Sequence, residues 1–203
     1  GYMLGISLSY EEEHGAYIDC ECIDETAEVL LQQIFDKKRV VFHNAKFDLA
    51  FFEYHFRFKF PRFEDTMLLH YMLDENPGTH GLKQLSLKYT PYGDYEKGMY
   101  EWMDDYCRRN GILKGSFTWD LIPFDIMKDY AAMDAVCTFL LFQKFENALV
   151  KNDRLYGVYR DILLPACRFL TDIQDHGVPF DKERLETSSV LMQTQIDEAV
   201  EKL

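Results

Sequence analysis

Apolar and polar residues alternate along Leu4 to Ser9, and a second short stretch, Ala16 to Asp19, has the same texture. Alternation places apolar side chains on one face of a strand. Between them the polar run Tyr10-Glu11-Glu12-Glu13-His14-Gly15 ends in glycine, which suits a hairpin. The period then changes. Ala27, Leu30, Leu31 and Ile34 recur at i, i+3, i+4, i+7, and Asp24 is placed to cap the helix they predict. Arg39 to Phe42 predicts a short apolar strand. Phe47, Ala50, Phe51 and Tyr54 predict a second amphipathic helix with those residues on one face. A strand is expected at Phe63 to Asp65, a helix at Thr66 to Leu73, a loop with Pro77-Gly78, and a helix at Leu82 to Tyr89.

Thr90 to Leu121 shows no sustained period. It predicts an irregular excursion with one helical turn around Tyr100 to Arg109. Pro123 then opens a long helix reaching about Leu149. Beyond Lys151-Asn152-Asp153 the pattern is almost all helical. His176-Gly177-Val178-Pro179 breaks it, and Asp181 can cap a last helix. Early strands that alternate with helices argue an α/β sheet domain over residues 1–150, followed by a helical piece over 151–203.

The chain has 203 residues, 47% hydrophobic and 15% aromatic, which is a globular composition. No apolar run approaches the roughly 20 residues of a membrane span. The five cysteines, Cys20, Cys22, Cys107, Cys137 and Cys167, form no CxxC pair or zinc spacing and read as reduced thiols of a cytoplasmic protein. The chain opens Gly1-Tyr2-Met3 with no basic leader and no methionine first, so the natural chain is expected to begin earlier. A net charge of −13 argues against a protein that grips many duplex phosphates. It leaves room for an enzyme that holds a few nucleotides through metal ions and aromatic rings.

Two constellations carry chemistry. His43-Asn44-Ala45-Lys46-Phe47-Asp48 follows a strand and opens a helix, where ligands of open α/β sheets bind. Asp48 is expected in the first turn, off the Phe47-Ala50-Phe51 face and pointing into the crevice. An aspartate there also complements the helix dipole with no further role. In Tyr130-Ala131-Ala132-Met133-Asp134 the tyrosine and aspartate share one helix face and could hold a metal and orient a water. A core-edge tyrosine beside a solvated aspartate gives the same letters.

Together HNAKFDLAFF and YAAMDA resemble the second and third motifs of DEDD exonucleases, in the variant whose third motif carries tyrosine. Phe63-Glu64-Asp65-Thr66-Met67-Leu68-Leu69 resembles the Asp-Thr element of that domain, and Gly81-Leu82-Lys83-Gln84-Leu85 its next helix. Leu4-Gly5-Ile6-Ser7-Leu8 and Gly15-Ala16-Tyr17-Ile18 look like its second and third strands. Leu164-Pro165-Ala166 and His176-Gly177-Val178-Pro179-Phe180-Asp181 are similar to the exonuclease–polymerase junction of DNA polymerase I and its phage relatives. The sequence thus resembles a 3′→5′ proofreading exonuclease domain of a family-A DNA polymerase.

That resemblance implies an RNase H-like mixed sheet flanked by helices. It implies two divalent ions, Mg²⁺ or Mn²⁺, held by four carboxylates that flank the 3′-terminal phosphodiester. Asp48 and Asp134 take metal-site roles, Tyr130 orients the water, and Asn44 and Lys46 are candidates for the substrate strand. The implied partners are a single-stranded DNA 3′ end and, through a polymerase domain, primer-template DNA. The implied setting is a monomer in bacterial or phage-infected cytoplasm. The family's first motif, Asp-x-Glu on a central first strand, has no match in place. Asp19-Cys20-Glu21 has the letters, but the interval from there to Asp48 holds one helix and one strand, where the family needs two more strands. The first strand is therefore expected upstream of Gly1, and the fragment is expected to be inactive alone. Two alternatives remain open: an RNase D-like exoribonuclease, and an exonuclease fold kept as a scaffold after losing its carboxylates.

Overall fold

The computed structural model describes residues 2–202. Strand β1 (Gly5–Glu11) pairs antiparallel with β2 (His14–Asp19), with an irregularity between Ser9 and Glu11. Helix α1 (Glu25–Lys37) starts where the Asp24 carboxylate accepts from the Ala27 N–H at 2.8 Å. Strand β3 (Val40–Phe42) leads into α2 (Ala45–Phe56). Strand β4 (Phe63–Asp65) lies parallel to β3 and runs directly into α3 (Thr66–Leu73). Next come α4 (Leu82–Tyr89), α5 (Lys97–Asn110) and the long α6 (Phe124–Leu149). Helix α7 (Asp153–Val158) continues through one π-helical turn (Tyr159–Leu163) into α8 (Leu164–His176). Helix α9 (Lys182–Glu201) begins at Asp181, whose carboxylate accepts from the Arg184 N–H.

The architecture is mixed α/β, with small sheets among many helices. The four strands form two separate pairs, β1–β2 and β3–β4. Among the described residues, β1 and β3 each keep one edge outside any ladder. Helix α6 packs against β1, β2 and β3, so one helix underlies both pairs. Gly15 makes this approach possible: a Cβ there would lie 2.4 Å from the Ala132 carbonyl oxygen of α6.

Phe35, Phe42, Phe52, Phe58 and Phe60 cluster beneath β3, with ring centroids 4.8 Å apart for Phe35–Phe60 and 5.1 Å for Phe42–Phe60. Each buried phenylalanine stabilises by roughly 1.5–3 kcal/mol, and the edge-to-face pairs add about 0.5–1.5 kcal/mol. A second cluster joins Leu69, Leu85, Leu141, Phe145 and Tyr159. A third gathers Met99, Ile122 and Met127, with Tyr17, Trp102 and Tyr130 at its edge.

Three sequence expectations need correction. Helix α1 buries Leu31, as the predicted stripe has it, together with Phe35, while Leu30 and Ile34 of that stripe are exposed, because the inward line runs i, i+4 through Ala27, Leu31 and Phe35. Helix α2 buries Ala45, Leu49 and Phe52, whereas Phe47 and Tyr54 are exposed. That helix is apolar on both stripes, so period alone could not choose the face. The excursion after Thr90 holds a helix of 14 residues, α5, and not a single turn.

The first compact unit extends to Thr171, past the change of texture near residue 150. The physical reason is that Tyr159 and Cys167 are buried in its core clusters. The second unit begins at Asp172, and α9 within it has no buried residue.

Candidate active site

The site begins where β3 ends. Asn44 takes the left-handed conformation (φ 64°, ψ 56°), which asparagine tolerates better than most residues, and turns the chain into α2. The buried Asp65 carboxylate clamps this turn. It accepts from the backbone N–H of Asn44 at 3.2 Å and Ala45 at 2.8 Å, and from Met67 at 2.8 Å and Leu68 at 3.2 Å. One carboxylate thus serves the first turns of α2 and α3 together. Burial raises the pKa of Asp65, and these backbone donors hold it back. Thr66 donates to the Phe42 carbonyl at 3.1 Å, which leaves its oxygen to accept from His43 Nδ1 at 2.8 Å. Burial presses the His43 pKa down to about 4, so that ring is neutral near pH 7.

Asp48 stands in the first turn of α2. It lies beside the inward stripe of Ala45, Leu49 and Phe52, off the Phe47-Ala50-Phe51 face. Burial, then the charges of Asp65 and Asp134, push its pKa up to about 7. Asp134 reaches the same region from α6. Burial raises its pKa to about 6, hydroxyl bonds from Tyr95 and Tyr130 pull against that rise, and Glu96 and Lys83 act in opposite senses. Both phenols have pKa values raised far above the ordinary value, first by burial and then by the Asp134 charge, so they remain donors. The Tyr130 ring lies between Tyr95, at 6.3 Å, and Trp119, at 6.0 Å.

Asp48, Asp134 and Tyr130 therefore converge from two helices. Asn44 is exposed and Lys46 half-buried on the same turn. Asp19 instead accepts from the Glu21 N–H at 2.9 Å as a local cap, and Glu21 is exposed. Among the described residues, no three His, Cys, Asp or Glu side chains form a group that could hold a metal. Two contributors were missed by sequence reasoning. Asp65 carried a faint signal, an Asp-Thr pair closing a strand. Tyr95 carried none, because its segment has no period.

The family model that matches this chain is described as a 3′-5′ exonuclease and covers residues 1–150. The chain belongs to the 3′-5′ exonuclease domains of family-A DNA polymerases. The whole chain is 45% identical to a DNA polymerase of Escherichia phage T5, of which it covers 25%. It is 27% identical to a DNA polymerase of Bacillus phage SP01 over 85% of this chain and 18% of that one. It is also 27% identical to DNA polymerase I of Borreliella burgdorferi, over 91% of this chain and 20% of that protein. The exonuclease chain thus spans a quarter or less of the length of these relatives. They are DNA polymerases, and they do not favour the exoribonuclease alternative.

Proposed function

We propose that this domain removes mismatched nucleotides from the 3′ end of DNA as the proofreading part of a DNA polymerase, releasing nucleoside 5′-monophosphates. The observation that carries the reading is the meeting of Asp48 and Asp134. They come from different helices, each is half-buried, and the charge of Asp134 raises the pKa of Asp48. Like charges held together in low dielectric favour a cation between them. Carboxylate oxygens suit a hard divalent ion such as Mg²⁺ or Mn²⁺. Asp48 and Asp134 would hold such ions, but they are half of a four-carboxylate set. When bound, the ions supply charge stabilisation and an activated water for phosphodiester hydrolysis.

The chain's own residues do the positioning. Tyr130 keeps its proton and presents a hydroxyl beside Asp134, where it orients the attacking water. Asn44 and Lys46 flank Asp48 on the same turn and contact the substrate strand. The open edges of β1 and β3, with α6 beneath both pairs, support an RNase H-like mixed sheet completed by one further strand between them. That strand would carry the other two carboxylates, and residues 1–150 would form the exonuclease domain. The exposed apolar residues Leu185, Val190, Leu191, Ile196 and Val200 of α9 support residues 151–203 as the helical start of a polymerase domain. The enzyme then acts as a cytoplasmic monomer on a single-stranded 3′ end, with primer-template DNA held by its polymerase part.

Degradation of 5′-labelled single-stranded DNA by the full-length gene product tests the reading. Asp48→Ala and Asp134→Ala should each abolish 3′ shortening while nucleotide incorporation persists. Tyr130→Phe should slow cleavage less, because no metal ligand is lost. Undiminished shortening by the double aspartate variant would overturn the assignment. A wild-type protein with no exonuclease activity would favour the scaffold reading.

A further inference from the structure

The segment 90–121 has no role in the reading above, yet it delivers a side chain to the centre of the site. Tyr95 lies just ahead of α5, and its hydroxyl donates to Asp134 Oδ1. Its approach is fixed from both sides. The next residue, Glu96, is buried and ion-paired with Lys83 of α4, and the Lys83 ammonium lies 3.8 Å from the centroid of the Tyr100 ring of α5. Earlier in the segment, the Thr90 hydroxyl donates to the Ser86 carbonyl at 2.8 Å, and the Tyr92 N–H donates to that hydroxyl at 3.3 Å. Met99 buries the first turns of α5 in the third core cluster. The Tyr95 hydroxyl is thus held by a rigid local frame.

We propose that Tyr95 is a positioning residue for Asp134, so that the 90–121 segment is a wall of the exonuclease site. The proposal rests on the reading of Asp134 as a metal-site carboxylate. A carboxylate has about four lone-pair sites, so a phenol bond fixes its rotamer and leaves oxygen positions for a ligand. Partners that orient a metal-binding carboxylate affect affinity and turnover without touching the ion. Tyr130 bonds the same carboxylate from its own helix. Tyr95 adds a restraint from outside α6, which a single helix cannot give its own side chain.

Tyr95→Phe in the full-length gene product tests this, because the ring and its packing stay. Mn²⁺ binding is read by electron paramagnetic resonance without DNA, and exonuclease kcat and KM are read on single-stranded DNA. Mn²⁺ affinity should fall on the order of 10-fold, with a comparable loss in kcat. KM and polymerase activity should stay at wild-type values. Asp134→Ala is measured alongside. If Asp134→Ala loses Mn²⁺ binding and cleavage while Tyr95→Phe matches wild type in both, the inference fails and the site reading stands. Tighter Mn²⁺ binding by Tyr95→Phe also overturns it, since Tyr95 would then compete with the ion. If Asp134→Ala retains both properties, the site reading itself fails.

Discussion

Asp48 and Asp134 bind their protons more tightly in the folded chain than an ordinary carboxylate does, with pKa values of about 7 and about 6. Folding therefore takes up protons, and without metal the folded state loses stability as pH rises from about 4, where an ordinary carboxylate ionises, through about 7. Asp48→Asn should stabilise the metal-free chain at pH 8 by on the order of 1–3 kcal/mol and have a clearly smaller effect near pH 4.5. Urea unfolding in a chelator at the two pH values checks this, and an equal effect at both would refute it. Asp65 behaves differently, because its charge is used by four backbone donors. Asp65→Asn leaves at least one buried N–H without its acceptor and should cost about 1–3 kcal/mol at neutral pH, read as a lower urea midpoint. Asp48, Tyr130 and Asp134 stood out as candidates because each sits inside a run of letters with fixed spacing. The clamp from Asp65 onto the turn at Asn44 and the bond from Tyr95 to Asp134 join segments distant in sequence, so the Asp-Thr pair only hinted at the first and no local pattern recorded the second.

At the scale of elements, short polar signals were read well and apolar faces poorly. Asp24 and Asp181 cap the helices they were expected to cap, because a cap is a local bond between a side chain and a nearby N–H. The core faces of α1 and α2 depend on what packs against them, and both helices offer more apolar positions than they bury. Phe52→Ala should therefore cost about 3–5 kcal/mol, while Phe47→Ala should stay within about 0.5 kcal/mol, as measured by denaturant midpoints. The β2–α6 contact links an element to the chemistry. With so little room between Gly15 and Ala132, Gly15→Val must push α6 away, at about 1–3 kcal/mol, and carry Tyr130 and Asp134 with it. In the full-length gene product, exonuclease activity should fall further than the loss of stability explains, with polymerase activity kept. An equal loss of both activities would contradict this.

The first compact unit is organised around α6, which packs against both strand pairs and carries Tyr130 and Asp134. Fold class was legible from the alternation of strands and helices. The β1–β2 hairpin was legible too, from the polar, glycine-ended run between its strands, whereas the parallel β3–β4 pair was not, because pairing across an intervening helix leaves no local pattern. A chain with net charge −13 has little to attract a polyanion by itself, and cations held at Asp48 and Asp134 would reverse the local sign at the proposed site for the 3′ end. The most direct measurement is a crystal structure of the full-length gene product soaked in Mn²⁺, with anomalous scattering used to place the ion. The account predicts Mn²⁺ bound by carboxylate oxygens of both Asp48 and Asp134, with the Tyr130 hydroxyl beside it. Mn²⁺ absent from that pair under saturating conditions, or bound elsewhere in the domain, would contradict it.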